Sequence, residues 1–101
     1  MTVDGLLKNG FGAVATPETD REITGVYIGD LLSWVMGRAQ SGDAWVTIMS
    51  NANIVAGACI IAAEGVEIPA DVRKTAEEKG VNILSFLGSA YDAAITLHSL
   101  L

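Results

Sequence analysis

The sequence predicts one layered α/β domain: a mainly parallel sheet with helices on both faces. Three observations point there. The chain has 101 residues, of which half are apolar, enough for a single core and too little for two. Two short runs, 44–49 and 58–63, are almost continuously apolar, the pattern of strands covered from both sides. Strand and helix patterns alternate along the chain, which favours parallel strands joined by helical crossovers. Residues 1–101 therefore read as a single unit, with no linker, internal repeat or low-complexity tract.

Taken in order, Val3, Leu6 and Leu7 stand at helical spacing behind a Thr2 cap, and Asn9-Gly10 closes a short helix over 3–8. Residues 12–16 read as a strand ended by Pro17, residues 18–22 as a polar loop, and residues 24–28, rich in β-branched and aromatic side chains, as a second strand. A helix is expected over 31–40, capped by Asp30 and ended by Gly42. Its Leu31, Leu32, Trp34, Val35, Met36 and Ala39 cover about 200° of circumference, wider than one packed face needs. The two apolar runs supply the next strands. Beyond a turn at Gly65, Pro69 suits a first helical position, and residues 70–79 carry only Val72 and Ala76 as an apolar stripe before the Gly80 stop, so this helix should lie outermost. Residues 81–84 form the last strand. Ser89 caps a final helix to about residue 100, whose Ala90, Ala94, Leu97 and Leu101 share a face.

Twelve acidic against six basic side chains leave a net charge of −6, which opposes contact with a phosphate backbone, so nucleic acid is not expected as a partner. The longest apolar run falls far short of the roughly 20 residues that cross a bilayer, and residues 1–10 lack the layout of a secretion signal. The expectation is a cytoplasmic protein without membrane contact. Cys59 is the only cysteine; its apolar neighbours suit a buried, inert thiol. His98, the only histidine, has no second histidine to complete a familiar metal set, so a structural role is expected and no metal or cofactor.

Gly10-Phe11-Gly12 resembles a fragment of a dinucleotide fingerprint, but it follows a helix and lacks the third glycine; it reads as a turn. No phosphate loop of the Gly-Lys-Ser/Thr kind occurs, which disfavours kinase chemistry. Asp20, Asp30, Asp43 and Glu64 are the carboxylates available for acid and base work, although spacing does not bring any two together. Ligand sites in α/β folds gather in the loops that follow parallel strands. Ser50, Asn51 and Asn53 stand in one such loop, Glu64 and Gly65 in another, and Ser85 follows the last strand, so these six are expected on one rim. Arg21 is a donor suited to bidentate contact with phosphate or carboxylate. It lies with Asp20 and Gly25 in a loop that either approaches that rim or serves the fold.

The stretch Asp20-Arg21-Glu22-Ile23-Thr24-Gly25 and the following Gly29-Asp30-Leu31-Leu32-Ser33-Trp34-Val35-Met36-Gly37-Arg38-Ala39 resemble the DRTGG domain family. So do Ser50-Asn51-Ala52-Asn53-Ile54-Val55-Ala56, Glu64-Gly65-Val66 and Gly80-Val81-Asn82-Ile83-Leu84-Ser85. The resemblance implies an α/β domain without established catalysis of its own, commonly built into dimers and placed beside regulated enzymes. Such domains occur alone, fused to phosphate acetyltransferases or to pyrophosphatases with nucleotide-binding regulatory modules, and are similar to the amino-terminal, non-kinase domain of HPr kinase/phosphorylase. Two departures stand out. Val26 replaces the last glycine of the signature, and residues 54–61 are shorter than the usual counterpart.

The functional expectation is a non-catalytic module that senses a small anionic metabolite, an adenine nucleotide first among them, and acts on a partner enzyme. The alternatives are a purely structural dimerisation unit and a small carboxylate-dependent enzyme. A homodimer is expected through Trp34 and Arg38, because Arg38 lies within the apolar arc of its helix, where a lone charge needs an acid from a neighbouring chain.

Overall fold

Side chains from the central strands are buried on both sides of the sheet, which fixes the order of layers. The computed structural model describes residues 1–56 and 59–101. Its elements are α1 (Val3–Leu7), β1 (Gly12–Ala15), β2 (Gly25–Ile28), α2 (Leu32–Arg38), β3 (Asp43–Thr47), a 3₁₀ turn (Ala52–Ala56), β4 (Cys59–Ala62), α3 (Ala70–Lys79), β5 (Asn82–Ser85) and α4 (Ala90–Leu100). The five strands form one sheet in the order β1-β5-β4-β3-β2. Strands β2, β3, β4 and β5 run parallel, and β1 joins β5 antiparallel. This is the layered, mainly parallel architecture that the alternation predicts.

Two cores lie on opposite faces. Ala44, Val46, Cys59, Ile61 and Leu84 point to one side and pack with Val3 and Leu6 of α1 and Ala93 and Leu97 of α4. Trp45, Ile60, Ala62 and Ile83 point to the other and meet Val35 of α2, Ile54, and Val72 and Ala76 of α3. Period-two alternation within strands that are buried on both faces produces the two sets. Helix α3 covers the sheet with Val72 and Ala76 alone and is otherwise exposed or half-buried, as its narrow stripe predicts. Among the described residues no helix is long and apolar enough to cross a membrane.

Several local expectations are corrected. Asp30 does not cap α2: the residue at the cap is Leu31, in extended backbone with no side-chain cap bond. The Asp30 carboxylate turns instead to β3, where its Oδ1 accepts from the Thr47 hydroxyl at 2.6 Å and from the Ile48 N–H at 2.9 Å. A buried hydroxyl and a strand-end amide outcompete a cap that neighbouring backbone can replace. Helix α2 consequently starts at Leu32, and it ends at Arg38 because Ala39 is already extended; Gly42, at φ +96°, belongs to the turn before β3. Pro69 occupies the cap of α3, one place before the expected first helical position. The buried face of α4 is Ala93 and Leu97, with Ala90 and Leu100 beside it, whereas Leu101 is 46% exposed. Of the expected strand over 58–63, Ala58 lies outside the described residues, as does Gly57 in the short segment over 54–61.

Candidate functional site

The parallel strands have two ends, and the residues singled out in the sequence divide between them. At the carboxyl ends stand Ser50, Glu64, Gly65 and Ser85, which close or follow β3, β4 and β5. Much of their polar capacity is already engaged. The Glu64 N–H donates to Gly88 O at 2.8 Å and the Gly65 N–H to Phe86 O at 3.1 Å. Glu64 is held in the left-handed region at φ 61°, a conformation costly for a residue with a Cβ. Ser85 pairs with Gly12, and a Cβ on Gly12 would stand 2.5 Å from Ser85 Oγ. Asn51 Oδ1 accepts from the Asn53 N–H at 3.0 Å, so it caps the start of the 3₁₀ turn, and both side chains remain exposed.

The signature loop lies at the opposite, amino-terminal ends. Its backbone serves α1: Arg21 O accepts from the Val3 N–H at 3.0 Å and Thr19 O from the Asp4 N–H at 2.9 Å, satisfying first-turn donors that a helix leaves free. Asn82, fully buried at the start of β5, pairs with Glu18 in both directions: Nδ2 donates to Glu18 O at 2.9 Å and Oδ1 accepts from the Glu18 N–H at 3.1 Å. An amide side chain thus substitutes for one rung of a strand ladder. Gly25 pairs with Asp43, and a Cβ there would collide with the Asp43 carboxylate, which also accepts from the Gln40 N–H at 2.8 Å. A side chain at Gly25 would thus force the Asp43 carboxylate to move. Val26 packs against the core on the α4 side.

Arg21 reaches a pocket of about 220 Å³ below α2, lined also by Gln40, Ser41, Asp43, Trp45 and Cys59. It pairs loosely with Glu18 at 3.9 Å. Cys59 is buried, and desolvation pushes its thiol up to about 12, against a smaller downward pull from Arg21; at neutral pH it is an uncharged packing group. Asp20 is exposed in the same loop. The four carboxylates are split between the two ends of the sheet, Asp20 and Asp43 at one, Asp30 and Glu64 at the other. Among the described residues no three of His, Cys, Asp and Glu are grouped as a metal site. His98 is exposed on α4.

On α2, Trp34 remains 53% exposed, and the Arg38 guanidinium lies 3.7 Å from the centre of its ring. The charge within the apolar arc is thereby partnered inside its own helix by a cation–π contact.

Sequence reasoning passed over Asn82 and Thr47 as individual residues, yet they are the buried polar positions that anchor the two loops. A single polar residue in an otherwise apolar strand is the signal that would have found both.

No family model and no curated protein sequence matches the chain. Among solved structures, the fold is similar to the CBS and DRTGG domains of the regulatory region of Clostridium perfringens pyrophosphatase, crystallised with the activator diadenosine tetraphosphate. The TM-score is 0.74 at 11% identity, covering 95% of this chain and 45% of that one. The chain thus shares the fold of a portion of that region and spans less than half of its length.

Proposed function

We propose that this chain is a non-catalytic regulatory domain of the DRTGG kind, responsive to a small anionic metabolite with an adenine nucleotide as the leading candidate, and acting on a partner enzyme. The observation that supports it is the likeness of 95% of the chain to a regulatory region that binds a dinucleotide activator, together with the signature stretch around Arg21. Two ligand surfaces follow from the split described above. The Arg21 pocket offers a guanidinium for an anion, and its size suits a phosphate or carboxylate group better than a whole nucleotide, since sites for larger ligands run from about 300 Å³ upward. The opposite rim offers the exposed Asn51 Nδ2, whose Oδ1 is engaged by the Asn53 N–H, with Ser50, Asn53 and Glu64.

A thermal-shift panel of diadenosine tetraphosphate, ATP, AMP and acetyl phosphate tests the reading, because a ligand that binds only the folded state must raise the melting temperature. A shift of several degrees with one of these supports it. No shift with any leaves the dimerisation alternative. The domain should neither hydrolyse ATP nor phosphorylate protein; turnover abolished in an Asp30→Ala variant that is still folded by circular dichroism would instead favour the carboxylate-dependent enzyme. Homodimerisation belongs to the same proposal. The stacking of Arg38 on Trp34 removes the need for an acid across an interface at α2, and the exposed Trp34 leaves that face as one candidate contact between two copies.

A further inference from the structure

Strand β2 is an edge strand, and among the described residues it pairs only with β3. The Gly29 N–H donates to Val46 O, so in a parallel ladder the alternation turns the N–H and C=O of Val26 and Ile28 away from β3. Beside this open edge runs a groove of about 690 Å³ lined by Thr24, Val26, Ile28, Ala94, His98 and Leu101. Among the described residues, no Asp, Glu, Lys or Arg side chain lines it. Helix α4 carries a second apolar stripe here: Tyr91, Ala94, Ile95, His98 and Leu101 fall within an arc of about 120°, next to the buried Ala93 and Leu97 and away from Asp92, Thr96 and Ser99.

We propose that a second copy of this chain occupies this surface, with β2 pairing antiparallel to β2 of the second copy about a two-fold axis. The register follows from the outward groups. Val26 and Ile28 exchange hydrogen bonds with Ile28 and Val26 of the second copy, four in all by the antiparallel pattern, and Tyr27 meets Tyr27 on the axis. The same axis sets the two α4 helices side by side on one face of a continuous ten-stranded sheet, because α4 packs over β2 and β3. A two-fold contact must be self-complementary, and an open edge whose outward residues are two apart meets that condition.

Area and charge select a second copy as the occupant. Ile28, Tyr91, Ile95 and Leu101 are 51%, 73%, 49% and 46% exposed. At roughly 200 Å² per large side chain, they present on the order of 440 Å² of surface. That is more than half of the roughly 800 Å² each partner buries in a standard interface, before His98, Thr24 and the strand backbone are counted. Each chain carries a net charge of −6, so two copies repel over most of their surface and approach most easily through a groove that no Asp or Glu side chain lines. A strongly basic partner would find no acidic side chain in it. The proposal rests on the reading of the chain as a self-associating module and leaves the ligand surfaces untouched.

Sedimentation equilibrium of the whole chain from low to high micromolar concentration tests it, comparing wild type with Ile28→Lys and Trp34→Ala. The expectation is a reversible dimer, weakened by about tenfold or more by a lysine on the paired edge and retained in Trp34→Ala. Amide exchange on the wild type gives an independent readout should Ile28→Lys unfold: Val26 and Ile28 should exchange more slowly as concentration rises. A monomer at high micromolar concentration overturns the proposal. So do edge amides whose exchange is independent of concentration, or a dimer that survives Ile28→Lys but is lost in Trp34→Ala. The thermal-shift panel reads separately, so either proposal can fail without the other.

Discussion

Asp30 and Cys59 are the side chains whose chemistry is set most firmly by what surrounds them. Asp30 ties the end of β2 to β3 through the Thr47 hydroxyl and the Ile48 N–H, and Thr47 is 2% exposed. Asp30→Ala should therefore cost about 1.5 to 3 kcal/mol in urea unfolding, the range for hydrogen bonds to a charged group. A double-mutant cycle with Thr47→Val should show a coupling of about 1 kcal/mol; strict additivity would mean that Asp30 acts elsewhere. For Cys59 the sign is fixed by burial. Its thiol is raised from 9.0 to about 12, so the folded chain holds a proton that the unfolded chain releases above pH 9. The contribution is intact below pH 9 and is lost as pH rises toward 12, at about 1.4 kcal/mol per pH unit. Over about pH 9 to 10.5, wild type should lose stability more steeply than Cys59→Ala. Parallel slopes would show that the thiol titrates alike in both states.

At the scale of elements, the signature loop is fastened by groups outside it, the Asn82 amide at Glu18 and the first-turn amides of α1 at Thr19 and Arg21. Removing the Asn82 amide leaves the Glu18 N–H and C=O without their partner, so Asn82→Ala should destabilise by about 2 to 3 kcal/mol, and proteolysis within residues 18–22 should quicken. Asn82→Asp should fare no better, because it sets a carboxylate against the Glu18 carbonyl. Unaltered stability in both would remove Asn82 as the anchor. The central strands and α3 were legible because continuous apolar runs and a two-residue stripe each have one structural reading. The ends of α2 were not: an Asp before an apolar run is a good cap, and only the buried Thr47 opposite draws it away. In α4 the periodicity runs over two adjacent apolar faces, so Ala94 and Leu101 looked as core-like as Ala93 and Leu97, and only contact with β2 and β3 separates the stripes. A helical wheel gives the direction of Arg38 but not its stacking on Trp34, so the sequence alone leaves its charge without a partner.

For the whole molecule, the decisive feature is that a parallel sheet has chemically distinct ends. Ser50, Asn51, Asn53, Glu64, Gly65 and Ser85 follow from strand order alone, since each stands at or after the carboxyl end of a strand. The place of Asp20, Arg21 and Gly25 depended on the antiparallel β1, which delivers the chain to the amino-terminal ends before β2 begins. An anion held by the Arg21 guanidinium and one held by the Asn51 amide therefore occupy different sites, and one small ligand should not depend on both. Arg21→Ala should weaken the anion that raises the melting temperature by about 1 to 3 kcal/mol, the scale of a lost charged hydrogen bond, while Asn51→Ala leaves it within about 0.5 kcal/mol. Isothermal titration of both variants, each checked by circular dichroism, reads the two ends of the strands independently. The converse pattern would assign binding to the carboxyl rim. There Glu64→Gly offers a further discriminator, since it relieves a left-handed backbone worth about 1 kcal/mol and should raise stability while lowering affinity if that side chain contacts the ligand. Equal losses from Arg21→Ala and Asn51→Ala would mean a ligand that runs from one end of the strands to the other, roughly 15 Å at the usual rise per strand residue, a span that favours a dinucleotide over a mononucleotide.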